Sequence, residues 1–119
     1  MIDIYVLLLL LWIHFISDFV FQTNYTIFNK SKDHCLLLVH VVLYGIPFVW
    51  FGWEFALATT AVHYIVDWFT TRLTLYLQEK DSPQWILAVI FDQALHISFL
   101  FIAYVLFAHP VHIFKLTSL

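Results

Sequence analysis

Cysteine, charge and basic tracts are what this chain has least of. Its 119 residues hold one cysteine, Cys35, which excludes an intrachain disulfide and a metal site framed by several thiolates. Charged side chains make up 11% of the sequence, where a soluble domain carries about a quarter. Five Lys and Arg stand against eight Asp and Glu, a net charge of −3 with no basic cluster, so nothing points to nucleic acid. The first residues carry Asp3 and no Lys or Arg, and no small-residue motif follows, so a cleaved signal peptide is not expected.

Apolar residues are present in excess: 63% of the chain is hydrophobic and the mean hydropathy is +0.90. So short a chain buries only part of its surface, and in water much of this excess would face solvent. Lipid is the solvent that fits. A helix needs about 20 apolar residues to span the hydrocarbon, so the chain has room for four spans and little else. The expected fold is all-α, an integral membrane four-helix bundle of up-down topology forming one transmembrane domain. The spans read as about 2–21, 35–51, 55–77 and 84–108. Pro47 should interrupt the second span at the carbonyl of Leu43. Gly52, Trp53 and Glu54 read as a tight turn, and Pro83 closes the polar loop 78–82 at the start of the last helix.

Orientation follows from the loop cations. The first and third loops with their helix ends hold Lys30, Lys32, Arg72 and Lys80, whereas the other side holds only Lys115 and the terminal amine. The positive-inside rule puts both of those loops in the cytoplasm and both termini outside, as a multi-pass protein of the inner membrane. Trp50 and Trp53 then mark the outer interface and Trp85 the inner one.

Against this background the ionisable residues inside the spans stand out. The first span carries His14 and Asp18, the third His63 and Asp67, the fourth Asp92 and His96. Each pair is spaced i, i+4 and shares a helix face. Spans one and three run inward and read His then Asp; span four runs outward and reads Asp then His. The reversal keeps the three aspartates in one layer and their histidines one turn further out. His40 in the second span, with Tyr44 one turn along, falls near the aspartate layer. One aspartate at mid-helix costs roughly 2.5–3.5 kcal/mol on insertion scales, and three cost about 8–10 kcal/mol. No Lys or Arg in the sequence lies at that depth. Protonation or a bound cation resolves the cost, and a divalent ion also supplies ligand bonds to imidazole and carboxylate, as zinc, manganese and iron do. A single His–Asp pair could merely tie helices together; three pairs in register with His40 favour a metal.

The ligand candidates are His14, Asp18, His40, His63, Asp67, Asp92 and His96, with Asp18, Asp67 and Asp92 also the catalytic candidates. Seven exceed the needs of one zinc, so two ions are expected to use them. Gln22 extends the His14–Asp18 stripe, Gln93 stands beside Asp92, and Lys30 and Arg72 lie at the expected mouth; these four are the substrate-binding candidates. Thr59 is expected to bond back to its own helix.

His14-Phe-Ile-Ser-Asp18-Phe and His63-Tyr-Ile-Val-Asp67-Trp match as His-aromatic-Ile-x-Asp-aromatic, which suggests two helical hairpins related by an internal repeat. The run His14-x3-Asp18-Phe-x2-Gln22, then Lys30, His40, His63-x3-Asp67 and Asp92-Gln93-x2-His96, resembles the small bacterial and phage membrane proteins of domain of unknown function 3307. The resemblance covers nearly the whole chain and implies the fold and the site but no reaction. That family usually has Lys soon after the second His-x3-Asp, where this chain has Thr70, Thr71 and Arg72. More loosely, the pattern is similar to small proteins described as membrane-bound metal-dependent hydrolases.

The function expected is a metal-dependent hydrolase with an intramembrane site open to the cytoplasmic side, acting on an anionic substrate such as a phosphorylated lipid or nucleotide. A proton- or cation-conducting transporter or channel would use the same residues as a relay and would need polar groups reaching both faces. A small interaction subunit with a purely structural metal is the third reading. Bis-histidine haem binding explains neither the three aspartates nor the lack of small residues. The bilayer is the one partner implied throughout. Lipid-facing surface on four short helices leaves room for a homodimer, for which no residue speaks.

Overall fold

The computed structural model describes residues 4–20 and 33–108. Within them the chain is all-helical, with four helices and no strand. Helix α1 (Ile4–Phe15) runs into a π turn (Ile16–Val20); α2 (His34–Gly45) continues as a 3-10 turn (Ile46–Phe51); α3 is Trp53–Glu79 and α4 is Trp85–Phe107.

Local chemistry sets these boundaries. Asp33 caps α2, its Oδ1 accepting from the Cys35 amide at 2.8 Å and the Leu36 amide at 3.4 Å. Pro47 has no N–H to offer the Leu43 carbonyl, and from Ile46 onwards the chain tightens into 3-10 winding. Gly52 turns the chain with φ 117° and ψ 142°, a conformation that a Cβ strongly disfavours, while its N–H donates to the Val49 carbonyl at 3.0 Å. Asp81 takes the left-handed conformation after α3 (φ 54°), and the Ser82 amide reaches back to the Leu77 carbonyl at 3.0 Å.

Helix α3 lies between α2 and α4, and the π turn of α1 rests against α2. Gly45 lets α2 approach α3 closely: a Cβ there would overlap the Thr60 hydroxyl, which is held by the Ala56 carbonyl at 2.7 Å. This approach brings His40 and His63 to facing positions. The interior then divides along its length. One end is filled by Val6, Leu10, Phe48, Phe51, Phe55, Ala56, Leu100 and Ala103, with Phe48 edge-on to Phe55 at 5.6 Å and Phe55 edge-on to Tyr104 at 5.8 Å. The other end buries His14, Ser17, Asp18, His40, Thr59, His63, Asp67, Thr70 and His96. Tyr44 belongs to both, its ring in the apolar cluster and its hydroxyl in the polar one.

The outside is apolar as well. Trp12, Leu57, Phe69 and Val105 are each more than 60% exposed. The segments His34–Phe51 and Trp85–Phe107 are long and apolar enough to cross a membrane, and only 22% of the α4 window is buried inside the bundle.

Candidate metal centre

Four side chains from three helices converge on one point. His40 comes from α2, His63 and Asp67 from successive turns of α3, and Asp18 from the π turn after α1. His40 Nε2 stands 3.3 Å from Asp18 Oδ1, 3.2 Å from Asp67 Oδ2 and 3.2 Å from His63 Nε2. His63 Nε2 stands 3.5 Å from the same two carboxylate oxygens. All four atoms lie within 4.8 Å of one another, and all four residues are buried. Five of the six separations are 3.2–3.5 Å, and the sixth, between the two carboxylate oxygens, is within 4.8 Å. A regular tetrahedron with edges of 3.2–3.5 Å has its centre about 2.0–2.1 Å from each corner, the length of a zinc–nitrogen or zinc–oxygen bond. Two nitrogens and two oxygens at that spacing fit a divalent ion.

A second group shares Asp67. Its other oxygen, Oδ1, is 3.1 Å from His96 Nε2, which is also 3.1 Å from Asp92 Oδ1. Asp67, Asp92 and His96 offer three ligand atoms within 4.8 Å of one another. Asp92 alone in the two groups carries appreciable surface, its side chain 16% exposed against 3% or less for the others. The Thr70 hydroxyl donates to Asp92 Oδ1 and also meets the Val66 carbonyl at 2.8 Å.

Neighbours aim these ligands. The His63 ring is sandwiched, with Tyr44 stacked on one side (3.8 Å between centroids, 17° between planes) and His96 on the other (4.1 Å, 28°). This column fixes the Nε2 direction although His63 Nδ1 finds no hydrogen-bond partner among the described residues. Gln93 ties the two ends of the cluster together: its Nε2 donates to Asp18 Oδ2 and Asp92 Oδ2, both at 3.1 Å. With both amide hydrogens given to carboxylates, its Oε1 accepts from His14 Nε2 at 3.0 Å. The neutral His14 ring then accepts from the Tyr44 hydroxyl through Nδ1 at 2.8 Å. Thr59 is buried at this end of the interior.

Six of the seven ligand candidates thus meet in the two groups, and His14 stands one shell away, holding Gln93 and Tyr44. His14 and Asp18 both turn inward and both meet Gln93, but the two ring nitrogens of His14 are taken by Tyr44 and Gln93 and not by the ligand groups. Gln93 sits between the ligands. Arg72 lies along its own helix, its guanidinium 4.3 Å above the Trp68 ring and donating to the Trp68 carbonyl at 2.7 Å. Gln22 and Lys30 lie outside the described residues. The sequence reading missed Ser17, whose buried hydroxyl has no partner among the described residues, and the Thr70–Asp92 bond.

Fold and site together define a small helical bundle with a buried His/Asp centre. The family model described as "Protein of unknown function (DUF3307)" matches residues 6–118, and the chain belongs to that family. No curated protein and no solved structure matches it.

Proposed function

We propose that the chain is a multi-pass inner-membrane protein that binds a divalent metal and works as a metal-dependent hydrolase, its centre opening towards the cytoplasm. The metal reading is carried by the close spacing of His40 Nε2, His63 Nε2, Asp18 Oδ1 and Asp67 Oδ2, and the catalytic reading by the adjoining three-ligand group of Asp67, Asp92 and His96, which leaves a position for water. Two carboxylates and two neutral imidazoles carry two negative charges, which one divalent ion balances where solvation is poor. The apolar exterior of the helices supports a bilayer around them.

A metal ion in such a centre lowers the pKa of water and polarises the group under attack. The chain's own part is to hold, orient and take up protons. Asp92, at the accessible edge and oriented by Thr70 and Gln93, is positioned to take one proton from the attacking water. The water oxygen joins the phosphorus or carbonyl carbon, the ester bond breaks, and the leaving oxygen receives the proton from Asp92. The substrate class proposed is an anionic ester, a phosphorylated lipid or nucleotide, whose oxygen would meet the ion; Arg72 is engaged with Trp68 and lends this no support.

The apolar end of the bundle opposes a conduit. Beyond His14 the interior is closed by Leu10, Phe48, Phe51, Phe55 and Leu100, and a relay needs polar groups on both sides. The test is elemental analysis of protein purified in mild detergent without chelator or affinity nickel, beside the Asp18→Ala/Asp67→Ala double variant. Zinc, manganese or iron should be bound and should be absent from the variant. A panel of phosphorylated lipids and nucleotides should then be hydrolysed by the metal-loaded chain alone. Stable protein free of metal refutes the reading, and bound metal with no ester turned over reduces it to a structural ion.

A further inference from the structure

The centre holds more ligand atoms than one tetrahedral ion can use. Asp67 directs its two oxygens to different partners: Oδ2 to His40 and His63, Oδ1 to His96. Each side of this carboxylate is completed by further ligands, Asp18 on the first and Asp92 on the second. We infer that the chain binds two unequal divalent ions bridged by Asp67, a closed ion held by Asp18, His40, His63 and Asp67, and an open one held by Asp67, Asp92 and His96 that receives an oxyanion. The inference rests on the metal reading above and is independent of any ester being hydrolysed.

Coordination number sets the two apart. Four protein ligands close a tetrahedral shell, the pattern of structural zinc; three leave a place for water or substrate, the pattern of catalytic zinc. Accessibility runs the same way. The ligands of the first ion are at most 3% exposed in their side chains, whereas Asp92 on the second is 16% exposed. Charge separates them as well. The first ion is balanced by Asp18 and Asp67. The second brings two positive charges against one further carboxylate, Asp92, and leaves an excess positive charge. An anionic oxygen ligand, such as a phosphate group, balances that excess and fills the open position.

Second-group geometry argues that its three atoms are ligands and not a hydrogen-bonded pair with a bystander. His96 Nε2 is equidistant, at 3.1 Å, from oxygens of two different aspartates. One N–H points well at one of them only, whereas an ion set among the three meets all of them. Thr70 and Gln93 hold the Asp92 carboxylate from the remaining directions and fix which oxygen faces His96.

The experiment is a cobalt(II) titration of the metal-free full chain in detergent, read by visible absorption and by equilibrium dialysis. Two equivalents should bind in sequence, the first giving the intense bands of tetrahedral cobalt and the second weaker bands of higher coordination. Inorganic phosphate should alter only the second set. Asp92→Asn, with unchanged helical circular dichroism, should keep the first step and weaken the second at least about tenfold. A single equivalent in the unaltered chain overturns the inference, as do two steps indifferent to Asp92→Asn or phosphate acting on the first set. Two ions bound in this order by a protein that hydrolyses no ester would refute the hydrolase and leave the paired centre standing. Hydrolysis with a single ion would do the reverse.

Discussion

His14-Phe-Ile-Ser-Asp18-Phe and His63-Tyr-Ile-Val-Asp67-Trp share one pattern, and their two halves behave differently. The aspartates are near equivalents: His40 Nε2 lies 3.3 Å from one and 3.2 Å from the other. The histidines are not. His63, in the unbroken α-helix α3, points Nε2 into the ligand set with Asp67. His14, followed by a π turn, serves Tyr44 and Gln93 instead. The difference teaches that i, i+4 spacing puts a pair on one face without deciding whether both members reach one centre; the groups packed opposite, Tyr44 and Gln93 for His14, decide that. Only one of the two aspartates also bridges, because only Asp67 has His96 on its far side.

The largest effect expected from breaking this comparison is at the bridge. Asp67→Ala should remove all bound metal, whereas Asp18→Ala should strip the closed group and leave Asp67, Asp92 and His96 in place. Elemental analysis of the two variants decides the point. Loss of the ion should also lower stability by about 4 kcal/mol where metal stands at 1,000 times its Kd, seen as a lower unfolding midpoint after chelation. If Asp67→Ala folds and keeps its metal, that aspartate is not a ligand and the two aspartates do not differ as bridge and terminal ligand.

Exchanging the repeats' histidines gives the next largest effect. His63→Ala should abolish binding at the closed group, while His14→Ala should retain the ion with affinity lowered by about 10–100-fold, the range for groups that orient ligands. Equal losses in the two variants would mean that His14 is a ligand after all. A smaller effect is expected from Gln93→Leu, which cuts the link from His14 to Asp18 and Asp92. It should weaken metal binding and cost roughly 1–3 kcal/mol of stability, since His14 Nε2 and the carboxylates lose a buried partner. Chemical denaturation in detergent measures it; an unchanged midpoint and affinity would remove Gln93 from the network.

The smallest test makes the first repeat resemble the second. Ser17 aligns with Val66, and its buried hydroxyl has no partner among the described residues. Ser17→Val should be neutral or stabilising by up to about 1 kcal/mol, with metal content unchanged. A clear destabilisation would show that this hydroxyl has work in the π turn.

Much of this arrangement was readable in the chain. Long apolar runs announced four helices, and Gly52 and Pro47 marked where backbone hydrogen bonding must change, whereas the capping of α2 by Asp33 was not read from the chain. The order His–Asp, His–Asp, Asp–His announced the cluster, because an antiparallel helix must reverse its sequence to keep groups level. Gln93 was noticed only as a neighbour of Asp92. Its joining of Asp18, Asp92 and His14 depends on where α1 and α4 come together, which adjacency in sequence does not state. Arg72 looked free to meet an anion; that it stacks on Trp68 one turn back is a choice among rotamers.

By itself the sequence determined the composition of the centre: three aspartates and the histidines, carried on apolar helices at matching depth. That followed from periodicity and from the expense of placing carboxylates among apolar side chains. Tertiary structure decided which atoms meet. Tyr44 and Gln93 took up both ring nitrogens of His14, the close approach at Gly45 and Thr60 brought His40 to His63, and the rotation of one carboxylate made Asp67 common to both ligand groups. Periodicity fixes the face a residue occupies to within a turn, but ligand geometry is fixed to tenths of an ångström. That precision comes only from the packing of whole helices against one another.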